Sequence, residues 1–448
     1  MPEYAQMKTP IPGPRAQEVL ELMRRYVPGA MAPAVPTVIA RAQGALVEDV
    51  DGNRFIDFSG GIGVLNVGHA PAEVVSAVTE QTSRFLHTDF TVVPYESYVK
   101  LAQRLAALAP GSSPKKVAFF NSGAEAVENA VKLARYVTGR AGIIALEGAF
   151  HGRTYMAMTL TSKVKPYKER FGPFVPEVYR VPAPYCYRCP FGLKHPECGM
   201  ACVQAVERAF TTVVAPEAVA AVIVEPVQGE GGFVVPPPEY LQRMRQLTAR
   251  HEILLIADEI QTGFGRTGRF FAVQHFGIEP DVITIGKSVA AGLPLSGVIA
   301  RADLYDRLDE GVVGGTFVGN PVACAAGLAV LDMFEQRRLT ERSEKLGQLI
   351  QQRMEHMMER ISLVGDVRGL GSMMAIELVK DRKTKEPASK ETARILRRCH
   401  ERGLICIKAG IYGNVIRMLA PLTIEEDLLN EGLDILEQAV REEAQAAA

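Results

Sequence analysis

Between about residues 70 and 325, short apolar runs alternate with helical patterns, which predicts an α/β fold on a mostly parallel sheet. Three observations carry the prediction. Five runs, VAFFNSG (117–123), IIALEGAFHG (143–152), AAVIVEP (220–226), ILLIADEIQ (253–261) and VITIGK (282–287), lack the polar alternation of a half-exposed strand, so both faces are covered. Helical patterns separate them, as parallel connections require. Each run also ends in polar, charged or glycine residues, at the strand ends where open α/β sheets bind ligands.

The flanks read differently. ALVEDVDGNRFIDF (45–58) is two short strands around Asp51-Gly52, a hairpin signal. After residue 325 one long amphipathic helix is expected over 331–360, followed by short strands in GSMMAIELV, LICIKA and VIRMLAP. Thr423 with Glu426 three residues later is a capping box for the last helix. The expected organisation is an N-terminal segment (1–69) contributing to a small domain, a large domain (70–325) and a C-terminal α+β small domain (326–448).

Composition excludes several functions. Of 448 residues, 47% are hydrophobic and 23% charged, ordinary for a globular protein. With 50 basic and 51 acidic residues, no excess of either sign argues for nucleic acid or a membrane surface. No run approaches the ~18 apolar residues of a membrane span. Proline and charge stand where a secretory signal needs an apolar core, so a cytoplasmic protein is expected.

The chemistry centres on Lys287, which ends an apolar strand although lysine is rarely buried unpaired. Asp258 ends the preceding strand, so one sheet edge would carry an amine and a carboxylate, with Ile260 on the side of Asp258. That set suits pyridoxal phosphate: the amine forms a Schiff base with the aldehyde, and the carboxylate keeps the pyridine nitrogen protonated. Burial would lower the lysine pKa. Taken alone, the pair favours the reading of a salt bridge in an ordinary domain. NSGAEAVENAVKLAR (121–135) offers Ser122 and the N–H groups of a helix N-terminus to a phosphate, or a plain cap. GFGRTG (263–268) fits a dinucleotide fingerprint, but the second strand of that motif should end in an acid and here ends in Lys287. Those glycines shape a loop near Gln261 instead. Phe150 can stack on a ring and Arg153 can clamp a carboxylate. Arg417, inside an apolar strand, wants an anion: Glu225 within the protein, or a substrate. His151 by itself reads as structural, since no histidine pair has zinc-ligand spacing.

Together these stretches resemble the class III, or ω-, aminotransferases, most closely the 4-aminobutyrate aminotransferases. LNVGH, FFNSGAEAVENAVKLAR, FHGRT, EPVQGEGG, ADEIQTGFGRTGRFFA, PDVITIGK, GGTFVGNPVACAA and VIRMLAP run in the family's order from about residue 45 to 420. The resemblance implies fold type I: a large domain with a mainly parallel seven-stranded sheet, a smaller α+β domain from both chain ends, and a homodimer or dimer of dimers. It makes Lys287 the Schiff-base lysine and proton shuttle, with Asp258 on the pyridinium nitrogen and Gln261 on the ring hydroxyl. Phe150 and Ile260 would sandwich the ring, with His151 in the same cofactor set. Ser122, Gly123 and Ala124 would hold the phosphate, with Thr316 arriving from the partner subunit. Arg153 would take the distal carboxylate of an ω-amino acid, and Arg417 the α-carboxylate of glutamate or 2-oxoglutarate. Glu225 would cover Arg417 in the other half of a ping-pong cycle. Ile62, apolar where ornithine and acetylornithine relatives differ, tilts the substrate toward 4-aminobutyrate. The residues leave open a racemase or epimerase on the same fold, or an ornithine, acetylornithine or diamine aminotransferase.

PAPYCYRCPFGLKHPECGMAC holds Cys186, Cys189, Cys198 and Cys202. Their spacing admits a zinc or iron–sulfur site, disulfides, or four reduced thiols.

Overall fold

A computed structural model describes residues 3–447. The chain divides into two compact units, one formed by residues 72–341 and the other by residues 1–71 with 342–448.

The first unit is built on a seven-stranded sheet. In chain order its strands are β1 (Lys115–Phe120), β2 (Gly142–Leu146), β3 (Val178–Val181), β4 (Val219–Val224), β5 (Leu254–Asp258), β6 (Val282–Ile285) and β7 (Ser296–Arg301). Their order across the sheet is β1-β7-β6-β5-β4-β2-β3. Neighbours from β6 through β3 pair in parallel, and β7 runs antiparallel between β1 and β6. Every residue of β2, β4, β5 and β6 is buried, as unbroken apolar runs covered on both faces must be. One cover is the helix Gly123–Thr138, which sinks Ala126, Val127, Ala130, Val131, Ala134 and Val137 into the core at helical spacing. Ser122 caps its start, accepting the Glu125 N–H at 3.2 Å, and Gly139, with φ 67°, ends it.

The single helix expected over 331–360 is two: Pro321–Gln336 and Leu339–Arg360, interrupted where Arg338 adopts φ 49°. The first of them packs on the helices Ala72–Arg84 and Glu96–Leu108, so the boundary between units falls after Glu341, not at 325.

The second unit holds two four-stranded sheets. In one, Leu46–Asp49 and Arg54–Asp57 form the hairpin read from Asp51-Gly52, and Leu404–Ile405 pairs in parallel with Arg54–Asp57. The other joins Val364–Leu370, Met373–Leu378, Val415–Met418 and Ile407–Ala409, all antiparallel. Phe58, Ile350, Met354, Ile376, Ile416 and Leu436 belong to its core. The expected capping box does not form. The last helix begins at Glu426, which leaves Thr423 ahead of the cap position with its hydroxyl buried and unbonded.

Candidate active site

Parallel pairing of β5 with β6 sets Asp258 opposite Thr284, three residues before Lys287. The acid and the amine therefore leave adjacent strands at the same edge of the sheet. Asp258 is 3% exposed, and its carboxylate is held from both sides. The Thr284 hydroxyl donates to Oδ1 at 2.9 Å, the Ile260 N–H donates to the same oxygen at 3.2 Å, and His151 Nδ1 lies 2.6 Å from Oδ2. A carboxylate this buried needs such partners, because desolvation otherwise drives it to its neutral form. Lys287 is half-buried at the start of a short turn, Lys287–Ala290, with φ 47°. Left-handed backbone at a non-glycine residue costs about 1 kcal/mol or more and persists where the surroundings enforce it.

Three loops converge beside this pair. A β-carbon on Gly123 would sit 3.0 Å from Ile260 Cδ1, and one on Gly286 would sit 3.3 Å from Ile260 Cγ2. With glycine at both positions the helix start and the lysine loop close over Ile260 without displacing it. The N–H groups of Gly123 and Ala124 take no part in the described hydrogen bonds, as first-turn donors of a helix do not. The Ser296 hydroxyl donates to the Ser122 carbonyl at 2.6 Å, fixing the cap against β7. Gln261 is buried with Oε1 unbonded, and His151 Nε2 is likewise buried and unbonded among the described residues.

The turn from Phe150 to Arg153 is tied down residue by residue. The Phe150 N–H donates to Glu225 Oε1 at 2.9 Å, and the His151 N–H donates to the Thr161 hydroxyl at 3.0 Å. That hydroxyl donates to the Gly152 carbonyl at 3.0 Å. Gly152, at φ 127°, packs so closely on Ala124 that a β-carbon would lie 2.8 Å from the Ala124 methyl. Glu225 also accepts the Gly229 N–H at 2.8 Å. Its burial raises its pKa to about 7, with His151 opposing and Asp258 reinforcing the rise. Arg153 is exposed, forms no described ion pair, and lies over the Tyr167 ring at 5.1 Å. Phe150 meets the same ring at 5.0 Å between centroids.

Lys287, Asp258, Ile260, Gln261, Ser122, Gly123, Ala124, Phe150, His151, Arg153 and Glu225 thus stand on the carboxyl-edge loops of one sheet. Thr316 is exposed on a loop of the same unit, next to Phe317, which is 64% exposed. Ile62 and Arg417 belong to the other unit. Ile62 is exposed with φ 65° in the Gly60–Gly63 turn, and Arg417 is buried in Val415–Met418 opposite Ala375. Sequence reasoning passed over Thr284, Thr161 and Tyr167. The one polar side chain inside VITI was the available signal for Thr284.

Cys186, Cys189, Cys198 and Cys202 line one small cavity together with His195. All four are free thiols, and no group of three or more His, Cys, Asp or Glu among the described residues is arranged to hold a metal ion. No helix among the described residues is long and apolar enough to cross a membrane. A separate groove lined by Glu73, Arg84, Tyr95, Lys100, Asp332 and Met333 contains none of the predicted residues.

An amine and a buried, hydrogen-bonded acid at the carboxyl edge of an α/β sheet suit group-transfer chemistry. The model of the aminotransferase class-III family matches residues 29–440, and the chain belongs to that family. It is accordingly a pyridoxal-phosphate-dependent aminotransferase. A probable 4-aminobutyrate aminotransferase of Bacillus subtilis is 50% identical over 405 residues, 90% of this chain and 93% of the relative. A 5-aminovalerate aminotransferase of Pseudomonas aeruginosa is 45% identical over 427 residues, 95% of this chain and 98% of the relative. The crystal structure of a Bacillus anthracis aminotransferase superposes with a TM-score of 0.89 at 31% identity, covering 96% of this chain and 99% of that one.

Proposed function

We propose that this aminotransferase moves the amino group of an ω-amino acid, 4-aminobutyrate first and 5-aminovalerate next, to 2-oxoglutarate in two half-reactions. The observation that carries the reading is the buried Asp258, clasped by Thr284 and His151, one strand from Lys287. The relatives named for 4-aminobutyrate and 5-aminovalerate support the donor class.

The residues suit the cofactor. Among the described residues Gln261 and His151 each present a buried polar atom with nothing bonded to it, and Gly123 and Gly286 lie against the apolar Ile260 side chain. When bound, pyridoxal phosphate supplies an electron sink for removing the proton beside the donor nitrogen. Lys287 would hold the cofactor's aldehyde carbon through its amine and would move that proton. Asp258 would face the pyridine nitrogen, and Gln261 would bond the ring hydroxyl. Phe150 and Ile260 wall the ring. Ser122, Gly123 and Ala124 hold the phosphate at the helix N-terminus, where N–H groups and the helix dipole favour an anion. Thr316 serves the partner subunit of a homodimer. Arg153 receives the distal carboxylate, and the family resemblance assigns Arg417 to the α-carboxylate, Glu225 to the exchange between partners and Ile62 to the apolar stretch of the donor.

The test is a donor panel of 4-aminobutyrate, 5-aminovalerate, β-alanine, ornithine and a diamine with 2-oxoglutarate, scoring glutamate. Highest kcat/KM for the first two is expected. Preference for ornithine or the diamine, or racemisation of a single amino-acid enantiomer without glutamate formation, would overturn the assignment.

A further inference from the structure

One ring touches two of the residues just assigned. Tyr167 lies in the loop after the helix Tyr155–Leu160, which returns toward the Phe150–Arg153 turn. The Ser162 N–H donates to the Ala149 carbonyl at 2.8 Å, Lys168 Nζ donates to the Thr159 carbonyl at 3.4 Å, and the Lys168 ammonium lies over the Phe174 ring at 4.9 Å. So anchored, Tyr167 presents its ring to Phe150 at 5.0 Å with the planes tilted by 59°, and to the Arg153 guanidinium at 5.1 Å.

We infer that Tyr167 is the residue that positions the donor: its single ring fixes the Phe150 ring and the Arg153 guanidinium relative to each other. The inference rests on the roles given above to Phe150 and Arg153. An exposed arginine samples many rotamers and loses that freedom when it binds a carboxylate. Stacking on Tyr167 restricts it beforehand, and the guanidinium face on the ring leaves its edge donors for a carboxylate. The turn that carries both side chains is itself fixed, because Phe150 N–H is held by Glu225 and Gly152 is wedged on Ala124. The Phe150–Arg153 spacing then measures the distance between the reacting end of the donor and its distal carboxylate. Tyr167 thus acts through its neighbours; it is a positioning residue for donor length.

The experiment compares Tyr167→Leu and Tyr167→Phe in the cofactor-loaded enzyme, with 4-aminobutyrate and with butylamine, which lacks the carboxylate. Tyr167→Leu should lower kcat/KM for 4-aminobutyrate roughly fivefold, the size of one cation–π contact, and mainly through KM. Butylamine turnover should fall by less than this, through the loss of the Phe150 contact alone, and Tyr167→Phe should restore the ratio. Calorimetric titration with butyrate should show the same weakening without turnover. Equal losses for both donors, an unchanged ratio in Tyr167→Leu, or a Tyr167→Phe as impaired as Tyr167→Leu would overturn the inference. Arg153→Gln separates the two levels. If it erases the carboxylate preference while Tyr167→Leu does not, only the positioning role fails. If Arg153→Gln leaves the preference intact, the role of Arg153 itself is wrong.

Discussion

Asp258 is almost wholly buried, so hydrogen bonds within the protein stand in for water around its carboxylate charge. The Thr284 hydroxyl is a donor to that charge at 2.9 Å, and valine keeps the shape while deleting the donor. A hydrogen bond to an ionised group contributes about 1.5–3 kcal/mol, so Thr284→Val should weaken pyridoxal-phosphate affinity about tenfold or more. Equilibrium dialysis of the cofactor checks this, and unchanged affinity would remove Thr284 from the site. Glu225 gives a pH signature. Its folded pKa of about 7 lies above its ordinary 4.5, so the folded protein keeps a proton that the unfolded chain gives up. Stability therefore falls as pH rises between those values and levels off above them, by at most roughly 3 kcal/mol for this group. Glu259, buried and also raised to about 7, adds a slope of the same sign. Unfolding by urea at about pH 5 and about pH 8 should show a smaller decline in Glu225→Gln than in the parent. At this scale the sequence was legible where charge conflicted with context. Lys287 and Asp258 end apolar strands, which is costly without a purpose. Tyr167 and Thr161 gave no such signal, since a tyrosine or threonine in a polar loop is unremarkable until folding shows what it faces.

At the scale of elements, the site is a set of turns pressed onto one helix. Gly152→Ala combines a strained φ of 127° with a 2.8 Å approach to the Ala124 methyl. It should cost about 2–4 kcal/mol, visible as a lower melting temperature, and should also reduce cofactor affinity because Phe150 and His151 move with the turn. A variant as stable as the parent would show that this packing is looser than described. Five parallel strands could be read from apolar runs; β3 and β7 could not. β3, VYRV, is a short edge strand with only Val181 buried, and β7 begins with Ser-Gly, which reads as a turn. Both are recruited by neighbours already in the sheet, which a local pattern cannot express. The two helices expected as one fail for a similar reason: the break at Arg338 lies inside a continuous amphipathic pattern.

For the whole molecule, the reading requires two chains per pair of sites. Thr316 and Phe317 are exposed side by side on one protomer, which supports a role on another. Co-expressing a Lys287→Ala chain with a Thr316→Arg chain should yield hybrid dimers that regain up to half the parental activity, since one of their two sites is then intact. No recovery would place Thr316 in its own subunit's site, and a Thr316→Arg chain fully active by itself would place it in none. The class of reaction was legible from the order of motifs along the chain, whereas the pairing of copies came from the family resemblance alone, because a sequence displays no second copy. The most direct test of the central claim is mass spectrometry of the cofactor-loaded protein after borohydride reduction. The account predicts one reduced pyridoxyl group on Lys287, in the segment between Arg269 and Arg301, and loss of both the label and transamination in Lys287→Ala. A label on any other lysine, or a Lys287→Ala protein that still turns over, would contradict it.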